Sequence, residues 1–401
     1  MDAVVEKSGS VAVEIDPKVA AFLKRTQKNL INGQWVEAVS GKSFDVFNPA
    51  TGEVLCQAAE SDKEDVDRAV KAARKAFEHG PWSKMTPAER ARIVWKLGDL
   101  IMEHCEEFAQ LESLDNGKPI SVARVADVPL SAEEFRYMAG WATKLNGANI
   151  STSIGTLTPG TSYHVYTRRQ PVGVCGQIIP WNFPLLMAAW KLAPALAVGC
   201  TLVLKPAEET PLSALRLGEL LAEAGVPDGV VNIVTGFGET AGAAIASHPD
   251  VNKVAFTGST EVGKLLLNAA SGNLKRLSLE LGGKSPNIIC DDADIDAAIA
   301  GAANGIFFNQ GEVCTAGSRL FVHEKVYDRV VEGVSAIAKS MKVGPGMCAD
   351  TQMGPLVSQV QFDRVTGYLK TGTQEGARAT VGGKAVAGKG WFVEPTVLVD
   401  T

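Results

Sequence analysis

From Val172 onward the chain alternates two hydrophobic patterns. Short apolar runs at 173–179, 201–204, 230–234 and 253–256 read as strands buried on both faces. Each is followed within a few residues by a longer stretch in helical period: from Leu185, at 211–224, after Glu239, and from Thr260. Alternation with short connections predicts a parallel sheet with helices on both faces and ligands at the carboxyl ends of its strands. Downstream the pattern predicts a helix at 294–308, a strand at 320–322 and a helix at 325–342. Upstream it predicts short strands at 31–36 and 44–55 around glycine turns, then helices at 62–77, 86–114 and 131–145. Thr86-Pro87-Ala88-Glu89 is a capping box with proline in the first turn, and Phe135, Met138 and Trp141 recur at core spacing. Residues 149–170 are rich in Thr, Ser and Tyr and interrupted by Pro159-Gly160, which predicts a β-hairpin; residues up to about 25 read as a mobile lead.

Length adds a second core to this picture. At 401 residues and 46% hydrophobic content the chain exceeds what one core usually organises, so at least two domains are expected. The net charge of −6 is spread, with no Lys/Arg run that would track phosphates, so nucleic acid is not an expected partner. The opening Met-Asp-Ala-Val-Val-Glu-Lys lacks the basic and apolar regions of a signal peptide, and the apolar window 185–204 is broken by Lys191 and Pro194, so neither export nor a membrane span is expected. Seven cysteines without Cys-x-x-Cys spacing suggest no disulfides or zinc and fit a reducing cytoplasm, and five scattered histidines suggest no metal site.

Two segments carry candidate chemistry. In Leu279-Glu280-Leu281-Gly282-Gly283-Lys284-Ser285-Pro286 a carboxylate emerges from an apolar strand just where two glycines turn the chain. In Asn309-Gln310-Gly311-Glu312-Val313-Cys314 a thiol follows a glycine. An acid and a thiol are the minimal equipment for covalent catalysis. The plainer readings are a core cysteine, a salt-bridged glutamate and an ordinary turn. At the end of 173–179, Trp181-Asn182-Phe183-Pro184 holds a side-chain amide between Pro180 and Pro184, suited to a developing oxyanion, although a lone Asn more often caps a helix. Two glycine patterns compete for a dinucleotide: 236–241, a generic fingerprint, and 258–263, which follows a strand and opens a helix.

Leu-Glu-Leu-Gly-Gly-Lys-Ser-Pro, Asn-Gln-Gly-Glu-Val-Cys-Thr-Ala-Gly-Ser-Arg and Trp-Asn-Phe-Pro resemble signature motifs of the NAD(P)-dependent aldehyde dehydrogenase superfamily, and the likeness covers essentially residues 30–401. The resemblance implies Cys314 as nucleophile, Glu280 as general base and Asn182 as oxyanion donor, acting on a small-molecule aldehyde. It favours the 258–263 glycine pattern. It also implies cofactor contacts at Ile178, Ile179, Pro180, Trp181, Lys205, Glu208, Gly238, Phe256, Gly258, Ser259, Gly263, Leu281, Gly282 and Gln361. The cofactor implied is NAD, with NADP disfavoured because a 2′-phosphate would meet the Glu208 carboxylate. The implied fold is α/β: a doubly wound parallel-sheet NAD-binding domain from 1–148 and 171–281, a β-hairpin oligomerisation arm at 149–170, and an α/β catalytic domain at 282–401. A homodimer or homotetramer is implied for the full-length protein. Two features depart from the family. Glu312 stands where Gln is usual, an extra carboxylate expected to raise the Cys314 pKa. The 401 residues also end before the family's Glu-x-Phe-Gly-Pro motif, so the catalytic domain is expected to be incomplete at its C-terminus. A catalytically idle protein of the same fold is the competing expectation, against which the intact Cys314, Glu280 and Asn182 argue.

Overall fold

A computed structural model describes residues 11–152 and 159–401. Among the described residues the first helix is α1 (Pro17–Leu23), capped by the Asp16 carboxylate and docked through Lys18 onto Glu107 at 2.8 Å. Residues 17–23 are therefore a helix rather than the expected lead; one short turn with a proline start gives little periodic signal. Strands β1 (Asn29–Ile31) and β2 (Gln34–Val36) form a hairpin, as do β3 (Ser43–Asn48) and β4 (Glu53–Ala59). Helix α2 (Lys63–His79) starts at a capping box made by Asp62 and Asp65, and α3 (Pro87–Glu103) at one made by Thr86 and Glu89. The single helix expected over 86–114 is broken at His104 (φ −101°, ψ 25°), where α4 (Cys105–Asp115) begins. Helix α5 (Val128–Trp141) follows and ends at Trp141, short of the expected 145. Strands β5 (Asn149–Ile150) and β6 (Val165–Tyr166) pair antiparallel, giving the expected hairpin its base; residues 153–158 of that expectation lie outside the described residues.

The sheet that organises the molecule contains β7 (Val174–Ile178), β8 (Thr201–Lys205), β9 (Val231–Ile233), β10 (Lys253–Gly258) and β11 (Arg276–Leu281). Its order is β11-β10-β7-β8-β9-β1-β2, parallel from β11 to β9, with β1 and β2 closing one edge antiparallel. Every residue of β7, β8 and β9 is buried, which is why these strands read as unbroken apolar runs. Helices α6 (Pro184–Ala197) and α7 (Leu212–Ala224) pack on one face, where Leu185, Leu192, Leu202, Leu204 and Leu215 share one apolar cluster. On the other face α2, α8 (Thr260–Ala270) and a short helix at Ala243–Ser247 meet Val174, Val203 and Val254. The helix expected after Glu239 opens with a wide π-type turn at Gly238–Gly242.

Beyond β11 the chain builds a smaller α/β unit. Strands β12 (Pro286–Ile289) and β13 (Arg319–Val322) pair parallel across α9 (Ile295–Phe307), and β14 (Arg378–Val381) pairs antiparallel with β15 (Val397–Val399). Helix α10 (Tyr327–Ser340) contributes Val330, Val334 and Ala338 to the apolar cluster that holds this unit, and α11 (Gln359–Gln374) completes it. Among the described residues no helix is long and apolar enough to cross a membrane, and no cluster of three His, Cys, Asp or Glu side chains offers a metal site.

Candidate active site

The carboxyl edge of the sheet gathers most of the residues singled out by the motifs. Register sets Ile178 of β7 beside Lys205 of β8 and Phe256 of β10, and Thr257 and Gly258 of β10 beside Glu280 and Leu281 of β11. Lys205 is buried; its Nζ donates to the Pro206 and Gly236 carbonyls, both at 2.7 Å, and pairs with Glu208 at 3.1 Å. Ser259 caps α8, its Oγ accepting from the Val262 N–H at 3.2 Å. A Cβ on Gly263 would lie 2.9 Å from Leu281 Cδ2, so this glycine lets α8 sit close against β11. At Gly238 and Gly282 an added Cβ would meet nothing within 4 Å; both face open space. Gln361 stands apart: it lies in the first turn of α11, outside the register that collects the others.

Past β7 the chain turns through Ile179, Pro180, Trp181 and Asn182, and its carbonyls are held from several sides. Asn116 Nδ2 and Thr210 Oγ1 donate to the Trp181 carbonyl at 2.9 and 3.3 Å. Asn309 Nδ2 and Lys118 Nζ donate to the Asn182 carbonyl at 3.0 and 3.4 Å. Asn182 does not cap α6, whose N-cap is Phe183. Its Nδ2 instead donates to the Glu312 carbonyl at 2.9 Å. A primary amide has two N–H groups, so one anchors it to the segment before Cys314 and a second remains to give.

That segment is strained. Asn309 (φ 49°), Gln310 (φ 58°) and Gly311 (φ 78°) are left-handed in succession, a conformation costing about 1–2 kcal/mol for each non-glycine residue. It persists because side chains fix it: Asn309 Nδ2 reaches Asn182, and Gln310 Oε1 accepts from the Gly354 N–H at 3.2 Å. Glu312 is buried, its Oε1 accepting from the Val357 N–H at 3.2 Å. Burial pushes its carboxyl well above the ordinary range, opposed by that N–H and by Lys118. Burial thus favours the protonated form of Glu312, which can donate a hydrogen bond as an amide would. This weighs against the expectation of an added negative charge beside Cys314.

Cys314 is exposed at the end of this loop, and Gly283 after β11 packs on it so closely that a Cβ there would lie 3.0 Å from the Cys314 carbonyl. Cys314, Glu280 and Leu281 line one cleft of about 1770 Å³ with Lys191, Met187 and Trp190 of α6. Lys191 donates to Thr257 Oγ1 at 2.7 Å, and burial lowers its pKa to about 8, with Glu280 opposing and Lys253 adding to the depression. Apart from Leu281, the residues implied to hold a cofactor lie outside this cleft. Thiol and carboxylate approach from the cleft side, and the Lys205 and Ser259 edge is left for another ligand.

The sequence profile of the aldehyde dehydrogenase family matches residues 35–401. The chain belongs to the aldehyde dehydrogenase family. It is 53% identical to DhaS of Bacillus subtilis (strain 168) over 98% of this chain and 78% of DhaS. It is 55% identical to the mitochondrial aldehyde dehydrogenase of Homo sapiens over 92% of this chain and 71% of that protein. Among solved structures, the NAD+ complex of aldehyde dehydrogenase from Bacillus cereus superimposes with a TM-score of 0.95 at 54% identity, covering 98% of this chain and 78% of that one. For an aldehyde dehydrogenase fold, the side chains that sequence reasoning passed over are the buried supports. Lys118 is fully buried between Asp127 and Glu112, 3.2 Å from the latter, with its ammonium 4.6 Å from the Phe183 ring centroid. Glu112 Oε1 accepts from the Leu185 N–H at 2.9 Å and so ties this ion pair to the start of α6. In the sequence Asn116-Gly117-Lys118-Pro119 reads as surface turn punctuation, and nothing in it signals a buried ammonium.

Proposed function

We propose that the chain oxidises an aldehyde to the carboxylic acid, with Cys314 as nucleophile, Glu280 as general base, Asn182 as oxyanion donor and NAD as electron acceptor. One observation carries the reading: Cys314 and Glu280 line a common cleft while the Asn182 amide is bonded to the loop that presents Cys314. An aldehyde has no ready route to losing hydride until a nucleophile adds. The Cys314 thiolate adds to the carbonyl carbon, and the alkoxide accepts the second N–H of Asn182. When bound, NAD supplies the two-electron acceptor for the hydride that leaves that carbon. Cys314 then carries a thioester. Glu280 takes a proton from the water that adds to it, which releases the acid and returns the thiolate.

The residues suit such a cofactor. Lys205 and Glu208 sit at a strand end, as a ribose requires, and the Glu208 carboxylate would repel a 2′-phosphate. Ser259 and the α8 N-terminus suit the pyrophosphate, and Gly238 and Gly282 leave room for backbone approach. The Bacillus cereus relative is solved as an NAD+ complex, which supports a nicotinamide dinucleotide at this edge. Trp141, Leu145, Met187 and Trp190 on the cleft favour an aromatic or medium-chain aliphatic aldehyde. The β5–β6 hairpin is proposed as an assembly arm of a homodimer or homotetramer working in the cytoplasm. The test is aldehyde-dependent formation of reduced NAD. Cys314→Ala should abolish it while leaving NAD binding intact, and turnover by that variant would remove Cys314 from the mechanism.

A further inference from the structure

Two buried cysteines outside the proposed chemistry lie together on a wall of the same cleft. Cys175 is the second residue of β7, and Cys200 immediately precedes β8, its neighbour in the sheet. Since Val174 pairs with Thr201 and Cys175 with Leu202, Cys200 is level with Gly173 and shares a face with Cys175 one diagonal step away. Both belong to the apolar cluster that holds Leu202 and Leu204, both are free thiols, and both line the cleft with Cys314.

Their surroundings favour one thiolate. The Cys175 and Cys200 thiols lie close enough to influence each other, and the Val172 and Gly173 N–H groups lie near the Cys200 sulfur. Lys253 of β10 is the register partner of Cys175, and the Arg90 guanidinium packs against Gly199, 3.2 Å from where a Cβ would be. The Cys200 thiol is accordingly lowered and the Cys175 thiol raised, chiefly by their mutual interaction.

Geometry decides what the pair can take up. On parallel strands about 4.8 Å apart, with about 3.3 Å of rise per residue, a two-residue offset sets the Cα atoms roughly 8 Å apart, beyond the roughly 7 Å limit at which a disulfide closes without backbone movement. A soft centre bonded to each sulfur at about 2.3 Å spans a wider gap between the two sulfurs than the S–S bond of about 2 Å. We propose that Cys175 and Cys200 form a two-thiol chelating site for a soft, thiophilic centre, a monovalent d10 cation such as Cu(I) or a trivalent arsenic, entering from the cleft. With Cu(I), both sulfurs bind as thiolates and the thiol protons leave to solvent; Lys253 and Arg90 offset the residual negative charge. With a monosubstituted arsenoxide, two As–S bonds replace the As–O bond and the oxygen leaves as water, with no change of oxidation state.

The test titrates the chain with phenylarsine oxide and, separately, with Cu(I) presented as its bicinchoninate complex. One equivalent of either should bind, and binding should persist in Cys314→Ala. The arsenical adduct should map to the two peptides holding Cys175 and Cys200, be released by dithiothreitol, and resist a matching excess of a monothiol. Cys175→Ser and Cys200→Ser should each weaken both probes about tenfold or more, as expected when a chelate becomes a single contact. Binding of the arsenical without Cu(I), or the reverse, restricts the site to that one centre. Peptide mapping on the unsubstituted chain keeps the test decisive if a serine variant fails to fold. An adduct at Cys290 or Cys314, release by monothiol, or a Cys175–Cys200 disulfide formed in place of bound probe would each overturn the site.

Discussion

Burial shifts the pKa of two side chains at the site in opposite senses, and each shift can be measured. Glu312 has a folded-state pKa raised above its ordinary value of 4.5 by burial. The folded chain therefore holds a proton that the unfolded chain releases as pH rises past about 4.5, and stability falls above that point until the folded pKa is reached. Glu312→Gln removes the penalty. Urea midpoints should match the parent below pH 4 and exceed it at pH 7, by about 1.4 kcal/mol for each pH unit by which the folded pKa exceeds the unfolded one within that range. The pH profile of turnover should stay where it is, because the raised pKa keeps the carboxyl protonated further up the pH scale; a shifted profile would restore the charged reading. Lys191 has the opposite sign. Its pKa near 8 lies below the ordinary 10.5, so the unfolded chain binds more protons between those values and stability should rise across that window, on the order of 3 kcal/mol in full. Lys191→Met should flatten the rise, and an unchanged slope would mean that the ammonium is solvated. Asn182 acts through a dipole instead of a charge. Asn182→Ala should lower kcat by about 10²–10³, the usual cost of one oxyanion donor, with a smaller effect on cofactor affinity.

At the scale of elements, the sheet strands were readable because burial on both faces forces continuous apolar runs, and the helices between them because helical period follows each run; of these helices only α8 starts at a side-chain cap, Ser259. The break at His104 was not readable, since neither Gly nor Pro marks it, and the chain simply steps from α3 into α4. Helix α1 is held by contacts far away in sequence, with Gln110 and Glu107, and its only local signature is the Asp16-Pro17 start. The site split in the same way. Glu280, Cys314 and Asn182 stood beside glycines and prolines that punctuate the chain, whereas Lys118, Glu112 and Asp127 look like surface residues until the fold closes over them. Lys118→Met should cost about 3–5 kcal/mol, because it leaves two buried carboxyls without their cation while the Asn182 carbonyl loses a donor. Gly263→Val should push α8 from Leu281 and cost about 1–3 kcal/mol by overpacking. Thermal unfolding tests both, and a loss under about 1 kcal/mol for Lys118→Met would remove the ion pair from the supports of the site.

Across the whole molecule, the large sheet carries Glu280 and the proposed cofactor edge, the smaller unit carries Cys314, and Asn182 ties the two through the Glu312 carbonyl. The proposed chemistry divides labour between thiol and carboxylate, and a single rapid-mixing experiment separates the two. Glu280→Gln, mixed with NAD and a medium-chain aldehyde, should produce a burst of reduced cofactor near one per site, followed by slow turnover, because addition and oxidation precede the step that needs the base. Mass spectrometry of the quenched burst should find the acyl group on Cys314. A variant with no burst and no adduct, or an acyl group on any other cysteine, would contradict that division.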